Sequence, residues 1–348
     1  MDLSVAVMTD QYPTNTRPDR GTFVQDLINH LRSARINAVV INYERNFAAM
    51  SLECLLRSLC VDIVDAQFIA PAGVIAALTP RFSPFVITVH RWDIIDFPYR
   101  WPMARVATLF ALQRSQGIIA VGHAIGAEVT RFVPSSKVRV IHNAVDTARF
   151  NPDIEFASLK SNLGIPERDV VVLSVGNLIP RKSFDLLIEA MPAILRRYVS
   201  CSLVIVGDGP QRGQLEMLIR RLSLEDQVKL AGVVDEAVLP TFYSMADIFV
   251  MPSLSEGHCI SILEAMSAAK PIIASAIPAN AESVVDGHNG FLVEPGDVMG
   301  LAEAISLLLR DKNLREALGR NSRRRVIHQF NWKLRISRLK DFYLSVAS

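Results

Sequence analysis

The sequence predicts an α/β protein with two domains, each holding a parallel sheet, and three observations carry this prediction. Short runs of consecutive apolar residues alternate with segments of helical periodicity along the chain. Strands that are apolar throughout are typical of a parallel sheet covered by helices on both faces. The 348 residues exceed the size that one hydrophobic core usually supports, and a polar, turn-rich segment at residues 142–153 divides the pattern into two halves.

The N-terminal half is predicted to hold six strands and five helices. Gly21 begins the first helix, after a loop rich in Pro, Asn and Asp at residues 9–21. One face of that helix carries the apolar residues Phe23, Leu27, Ile28 and Leu31. The predicted strands cover residues 3–8, 38–41, 63–66, 85–89, 117–121 and 138–141. The later helices cover residues 47–59, 73–79, 102–115 and 124–132.

The C-terminal half repeats the alternation and ends in helices. Its predicted strands cover residues 170–175, 202–206, 228–231, 247–251 and 272–274. Helices are predicted at residues 183–197 and 210–222, with further helical sequence at 297–325 and an amphipathic segment at 332–346. This pattern describes two Rossmann-like domains facing each other across a cleft, with ligands bound outside the carboxyl ends of the strands.

Composition excludes several classes of protein. The 37 Lys and Arg residues against 35 Asp and Glu residues give a net charge of +2, which argues against nucleic acid as the main partner. The four cysteines show neither zinc-ligand spacing nor a disulfide framework. No apolar run is long enough for a spanning helix, and the amino terminus lacks a basic leader. We therefore expect a cytoplasmic, metal-free protein.

The segment at residues 253–274 is the strongest candidate for a functional site. It places Glu256 and Glu264 eight positions apart, and it follows an apolar strand closed by Pro252. Glu264 is expected in the first turn of a helix, whose free backbone N–H groups favour anions. Two ionised carboxylates also accept hydrogen bonds from the hydroxyls of a sugar. The alternative is a pair of solvated glutamates on a surface turn.

Other candidate residues follow the ends of neighbouring predicted strands. Arg181 and Lys182 precede a helix, where cations oppose the macrodipole unless an anion is bound; a solvated charged loop is the alternative. Gly207 and Gly209 flank Asp208. This pair of glycines could serve either a tight turn or a ligand site. His90 follows the strand at residues 85–89 and is either a functional or a purely structural histidine.

Several short motifs resemble those of one known family. Glu256, Gly257, Glu264, Ala265 and Met266 match E-G-F-G-x-x-x-x-E-A-M. In the C-terminal half, Gly176, Leu178 and Lys182 match G-R-L-x-x-x-K-G; Gly207, Gly209 and Pro210 match G-x-G-P; and residues 289–297 match N-G-x-L-V-x-P-G-D. Thr88, His90 and Asp93 match T-x-H-G-x-D in the N-terminal half. Asn143, Val145 and Asp146 match N-G-V-D between the two halves. Over almost its whole length the chain thus resembles the retaining nucleotide-sugar glycosyltransferases of the GT-B fold, specifically glycosyltransferase family 4.

The resemblance implies a domain division and a function. Residues 1–145 would form the acceptor-side domain, completed by the C-terminal helix at 331–348, and residues 146–330 the nucleotide-sugar-binding domain. The chain would transfer a hexose from a nucleoside-diphosphate sugar to a glycan or lipid-linked saccharide, without a metal ion and with retained anomeric configuration.

The resemblance also implies roles for single residues. Lys182 would bind the donor diphosphate, Glu264 the ribose hydroxyls and Glu256 the hydroxyls of the transferred sugar, while His90 would lie at the reaction centre. The donor site would further include Gly21, which lets a loop approach the phosphates, together with Gly176, Asn177, Arg181, Gly209 and the backbone of His258, Cys259 and Ile260.

The chain departs from the family pattern at several positions: His258 replaces a phenylalanine, and Pro278, Ala279 and Asn280 stand where a glycine pair is usual. Asn177 replaces an arginine, so Lys182 and Arg181 would have to supply the positive charge for the leaving group. Cys259 replaces a glycine and would narrow the donor pocket, and Ser183 and Arg91 also replace glycines.

A second segment, residues 90–114, mixes arginines with aromatic residues. The arginines are Arg91, Arg100, Arg105 and Arg114, and the aromatic residues include Trp92, Phe97, Tyr99 and Trp101. This mixture suits peripheral contact with an anionic membrane and hence a lipid-linked acceptor. A helix that faces the core with a solvated edge is the alternative.

Three other functions remain open at the level of sequence. A sugar epimerase of the same architecture would lack the spacing of the two glutamates, and a phosphorylase would need a cofactor lysine or phosphate site that the sequence does not identify. A non-catalytic nucleotide-sugar-binding subunit is compatible with Asn177 and Cys259.

Overall fold

The computed structural model describes residues 3–13, 21–42 and 46–348, and the chain divides into two compact units. The first unit comprises Met1–Asn143 and Trp332–Ser348, and the second comprises Ala144–Asn331. Part of the predicted loop at residues 9–21, namely residues 14–20, lies outside the described residues.

The first unit is built on a parallel sheet of six strands in the order β2-β1-β3-β4-β5-β6. All six predicted strands are confirmed within one or two residues at their ends. They are β1 (Ser4–Met8), β2 (Asn37–Ile41), β3 (Ile63–Gln67), β4 (Phe85–Val89), β5 (Gly117–Ala120) and β6 (Val138–Val140). Strands β3, β4 and β5 are buried throughout, as expected for a sheet covered on both faces.

The helices of the first unit include the C-terminal segment of the chain. They are α1 (Thr22–Ser33), α2 (Phe47–Arg57), α3 (Val74–Leu78), α4 (Trp92–Ile95), α5 (Pro102–Arg114), α6 (His123–Val129) and the last helix (Trp332–Ala347). In α1, Leu27, Ile28 and Leu31 of the predicted apolar face are buried together with Val24. Phe23 is half-buried and packs against the rings of Phe68 and His90.

Gly21 begins α1 in a conformation that requires glycine. Its φ of 67° lies in the left-handed region, and a Cβ there would stand 2.3 Å from the carbonyl oxygen of Gln11. The chain therefore passes very close to itself at the start of α1.

The second unit is built on another parallel sheet of six strands, in the order β12-β11-β10-β7-β8-β9. These are β7 (Val170–Val175), β8 (Cys201–Val206), β9 (Val228–Gly232), β10 (Ile248–Met251), β11 (Ile272–Ser275) and β12 (Gly290–Val293). The sequence did not predict β12. It is a short strand at the edge of the sheet, and its apolar run of residues 291–293 follows a glycine and is only half-buried at two positions.

Helices cover the second sheet. They are α7 (Ala157–Asn162), α8 (Phe184–Leu195), α9 (Arg212–Arg221), α10 (Leu239–Met245), α11 (Ile260–Ser267), α12 (Pro278–Ala281), α13 (Val298–Arg310) and α14 (Lys312–Gln329), and the C-terminal helix of the first unit is α15. The helical sequence at 297–325 is two helices, because Asp311 ends α13 and its carboxylate caps α14 by accepting from Leu314 N. In the described parts of the chain, no helix has both the length and the apolar character needed to span a bilayer.

Strand order places a switch point in each sheet. In the second unit β7 lies between β8 and β10, and in the first unit β1 lies between β2 and β3. Connections leave in opposite directions at such a point, and the crevice at the carboxyl ends of the strands is where open α/β sheets bind ligands. The loops after β7, β8 and β10 therefore meet at one edge of the second sheet.

A substitution at Gly207 tests how closely these loops pack. Its φ is 132°, and a Cβ there would lie 2.1 Å from the carbonyl oxygen of Gly176. We expect Gly207→Ala to lower the free energy of unfolding by about 3 kcal/mol, because the backbone must shift or adopt a strained conformation. Gly213→Ala is the matched control, since a Cβ meets nothing within 4 Å at that helical position. The control should be neutral or slightly stabilising in urea denaturation; equal effects of the two variants would contradict this packing.

Candidate active site

An ion pair between Lys182 and Glu256 connects the loops after β7 and β10. Nζ of Lys182 lies 2.7 Å from Oε1 of Glu256, and both side chains are more than nine-tenths buried. Nη1 of Arg181 approaches Oε2 of the same carboxylate at 3.2 Å and donates to the carbonyl oxygen of Ser255 at 3.1 Å. The N–H of Leu254 donates to the carbonyl oxygen of Arg181 at 2.8 Å. One carboxylate thus holds two cations at the carboxyl edge of the sheet.

The pair keeps both partners charged despite their burial. Burial disfavours ionisation of Glu256, but the charges of Lys182 and Arg181 outweigh it and hold the pKa of that carboxyl below its ordinary value. Burial likewise opposes the charge of Lys182, and Glu256 more than offsets this, so the pKa of the lysine is raised. The ammonium group of a lysine has three N–H donors. In Lys182 this group contacts Glu256 and, at a longer distance of 3.8 Å, the sulfur of Met251. The site therefore offers a fixed, fully charged ammonium group.

Glu264 lies in the second turn of α11, not in the first turn as predicted, because the helix begins at Ile260. The hydroxyl of Tyr243 donates to its Oε2 at 2.5 Å. Tyr243 is fully buried, and burial together with the charge of Glu264 raises the pKa of its hydroxyl well above the ordinary value. This hydroxyl therefore stays protonated and fixes one oxygen of Glu264, on a carboxylate that is itself half-buried.

The residues between the two glutamates turn their side chains inward. Nε2 of His258 lies 3.1 Å from Oγ of Ser283, and its ring packs 5.2 Å from that of Phe330. Cys259 is 6 % exposed, belongs to the hydrophobic core of the unit and lies 3.2 Å from Oγ of Ser261. Because both side chains are buried in the unit, this segment presents mainly backbone at the start of α11.

The loop after β7 keeps a left-handed backbone although its glycine is replaced. Ser183 has φ 51° and ψ 43° and is buried, a conformation that is uncommon for a residue with a Cβ. Gly176 packs on the lysine, since a Cβ there would lie 3.2 Å from Cε of Lys182. Gly209 follows β8 with its N–H bound to Asp208, and Asn177 is exposed.

His90 belongs to the first unit and is enclosed by aromatic rings. Its ring centroid lies 4.4 Å from that of Phe68 and 5.1 Å from that of Phe23. Its backbone N–H donates to the carboxylate of Asp93, which also accepts from the N–H of Ile69. Burial, and next the charge of Arg335, lower the pKa of His90 to about 3, so the imidazole is neutral near pH 7. Burial raises the pKa of Asp93 to about 7.

The structure therefore groups the predicted residues in two sets. Gly176, Arg181, Lys182 and Glu256 come together in the second unit, with His258, Cys259, Ile260 and Glu264 following on the same loop and helix. Gly21 and His90 belong to the first unit. Sequence reasoning missed Tyr243, which lies on an unpredicted helix, and the polar residues Asp65 and Gln67. A carboxylate within the apolar run of β3 was the available signal for Asp65.

Solved structures identify the fold. Sucrose-phosphate synthase from Thermosynechococcus elongatus superposes with a TM-score of 0.83 at 22 % identity, covering 99 % of this chain and 100 % of that one. Anabaena HepE in complex with UDP-glucose superposes with a TM-score of 0.82 at 21 % identity over the same shares. The two parallel sheets are thus those of the GT-B fold, which confirms the predicted fold class.

The sequence relatives define the family. Residues 155–325 match the model described as Glycosyl transferases group 1, and residues 3–149 match that described as Glycosyltransferase Family 4. The GDP-mannose-dependent alpha-(1-6)-phosphatidylinositol monomannoside mannosyltransferase of Mycobacterium tuberculosis is 30 % identical over 296 residues, or 80 % of this chain and 75 % of that protein. The chain therefore belongs to glycosyltransferase family 4, the group 1 glycosyl transferases, and is a glycosyltransferase.

A double-mutant cycle tests the ion pair. Lys182→Met and Glu256→Gln should each lower the free energy of unfolding by about 3 kcal/mol, because each leaves a buried charge without its main partner. The double variant should lose clearly less than the sum of the two. Chemical denaturation measures all three values, and strictly additive losses would show that the two side chains do not interact.

Proposed function

We propose that the chain transfers a hexose from a nucleoside-diphosphate sugar to a glycan or a lipid-linked saccharide, with retention at the anomeric carbon and without a metal ion. The observation that carries this proposal is the buried pair of Lys182 and Glu256, joined by the half-buried Arg181, at the carboxyl edge of the second sheet. It places two cations and one carboxylate directly before the first turn of α11, where backbone N–H groups favour phosphate.

Each part of this group suits one part of a nucleotide sugar. Lys182 and Arg181 would neutralise the charge that develops on the diphosphate as it leaves, a role that many enzymes give to a metal ion or to arginine. Glu256 would accept from hydroxyls of the transferred sugar. Glu264 would accept from the ribose, with one of its oxygens already fixed by Tyr243.

The named relatives support a nucleotide-sugar donor but not one particular donor. The mycobacterial relative is named for GDP-mannose and for a phosphatidylinositol mannoside acceptor, whereas HepE was solved with UDP-glucose. A guanine and a uracil nucleotide thus occur among proteins with this fold, and both donors carry the diphosphate that Lys182 would bind.

Two other functions compete with transfer. A non-catalytic subunit would bind the donor without turnover, and a GT-B epimerase would change the sugar without an acceptor. The experiment below distinguishes all three.

An exposed surface on the first unit suits the lipid-linked form of the acceptor. It consists of α4, the turn after it and the start of α5, and we call it the aromatic–basic surface. Its exposed residues are Trp92, Tyr99, Arg100, Trp101, Met103, Arg105 and Val106. The guanidinium groups of Arg100 and Arg105 lie 5.3 and 5.9 Å from the rings of Trp101 and Tyr99.

The opposite side of α5 packs into the core through Ala104, Thr108, Ala111 and Leu112, so this helix also fits the alternative of a core-facing helix. Exposure of two tryptophans beside two arginines favours contact with anionic lipid, since aromatic rings prefer the interface and arginines the headgroups.

Glu256→Gln should abolish transfer in a protein that still folds. Loss of the carboxylate should lower kcat at least about a hundredfold, as removal of one electrostatic contact in an active site does. Nucleotide release from a panel of UDP- and GDP-sugars, with and without acceptors and in EDTA, measures this. Glu303→Gln, an exposed position on α13, is the matched control.

The same assay separates the competing functions. Donor-dependent release that needs an acceptor and survives EDTA supports the proposal. Binding of donors without any turnover would indicate a non-catalytic subunit, a changed sugar without release would indicate an epimerase, and full activity of Glu256→Gln would remove the role assigned to that residue.

Charge reversal tests the aromatic–basic surface. Wild-type protein should sediment with phosphatidylglycerol vesicles and not with phosphatidylcholine vesicles. Arg100→Glu combined with Arg105→Glu, and separately Trp101→Ala, should reduce that binding severalfold. Phe82→Ala is the matched control, because Phe82 is 75 % exposed and outside this surface. Equal binding by all variants would contradict a role for the surface.

A further inference from the structure

A series of hydrogen-bonded polar side chains in the first unit ends at the ring of His90. Nε2 of His90 lies 3.2 Å from Oε1 of Gln67, at the end of β3. The amide nitrogen of Gln67 donates to Oδ2 of Asp65 at 2.8 Å. Asp65 is fully buried and also accepts from the hydroxyls of Thr88 at 2.8 Å and Tyr343 at 2.6 Å. These hydrogen bonds thus connect β3, β4 and α15 to the histidine.

The chemistry of these groups fixes where the hydrogen on the imidazole lies. Three donated hydrogen bonds surround Asp65, which is the arrangement of an ionised carboxylate, and a carboxylate can only accept. The NH₂ group of Gln67 must therefore face Asp65, and its oxygen must face His90. Since an amide oxygen only accepts as well, Nε2 of His90 carries the hydrogen and Nδ1 carries the lone pair.

Burial and the neighbouring groups act on Asp65 in opposite directions. Burial raises its pKa above the ordinary value, and the hydrogen bonds from Tyr343, Thr88 and Gln67 and the charge of Arg335 offset only part of that shift. The guanidinium of Arg335 donates to Oδ1 of Asn143 at 2.6 Å and is buried with Asp65. A cation at this place favours the carboxylate and disfavours an imidazolium.

The backbone around the ring is also constrained. Phe68, the residue after Gln67, has φ 76° although it carries a side chain. Such a conformation is strained and is found where the surrounding structure holds it, often at functional sites. Here it places the Phe68 ring 4.4 Å from the ring of His90, while the amide of Gln67 reaches the edge of the same ring.

We propose that Gln67, oriented by Asp65, is a positioning residue that holds His90 as the neutral tautomer with its hydrogen on Nε2. His90 then serves glycosyl transfer as a hydrogen-bond acceptor through Nδ1, toward a hydroxyl of the donor sugar or of the acceptor. It does not act as a general acid, and it brings no positive charge to the reacting sugar. This inference rests on the function proposed above.

The tautomer can be measured without turnover. We expect NMR of protein labelled with ¹⁵N and ¹³C at its seven histidines to show His90 protonated on Nε2 and unprotonated on Nδ1 between about pH 5 and pH 8. The His90→Asn variant assigns the signal. Gln67→Met has nearly the same shape without the amide, and it should give a mixture of the two neutral tautomers.

Control and second variants keep the test decisive. Gln113→Met, at an exposed position on α5, should leave the His90 signals unchanged. If Gln67→Met does not fold, Gln67→Asn keeps an amide that is one methylene too short to connect Asp65 with His90, and it should give the same change. Wild-type His90 protonated on Nδ1 or on both nitrogens, or an unchanged tautomer in a folded Gln67 variant, would overturn the proposal.

Kinetics separate this proposal from the proposed function. With a working donor and acceptor, Gln67→Met should lower kcat/KM severalfold, because a fraction of the enzyme then carries the hydrogen on the wrong imidazole nitrogen. A merely structural role would not couple this loss to a changed tautomer in the NMR spectrum. Absence of turnover with every donor would contradict the glycosyltransfer proposal, whereas the NMR result stands or falls independently of it.

Discussion

The ion pair between Lys182 and Glu256 is the interaction on which the candidate donor site depends. A lysine and a glutamate that are both more than nine-tenths buried remain charged because they are 2.7 Å apart, and Arg181 adds a second cation that favours the ionised glutamate. Neither Lys182 nor Glu256 would stay charged in its buried position without the other. The conformations of the loops after β7 and β10 therefore depend on each other. The neighbouring order of β10, β7 and β8 in the sheet makes this contact possible.

The two units fix the charge state of their candidate site residues in different ways. In the second unit, charges are held in place by an opposite charge. In the first unit, His90 is held neutral by burial, by aromatic rings and by an amide that can only accept at the imidazole nitrogen.

The sequence predicted the parts of the fold and site that follow from local patterns. The central strands are continuous apolar runs. Lys182 and Glu256 lie in the loops after β7 and β10, and Glu264 lies in the helix that follows, so their meeting at one edge of the sheet could be expected. The hydrogen bond between Asp65 and Tyr343 spans 278 positions and has no sequence spacing that reveals it. The short edge strand β12, the inward turn of His258 and Cys259, and the cap at Asp311 depend on packing and on exact backbone geometry, which a pattern of apolar residues does not contain.

The account is tested most directly by a crystal structure of the protein with a bound nucleoside diphosphate. It predicts that a diphosphate oxygen lies within hydrogen-bond distance of Nζ of Lys182, at the start of α11, with the ribose at the carboxylate of Glu264. A nucleotide bound elsewhere in the second unit, or one whose phosphates do not contact Lys182, would contradict it.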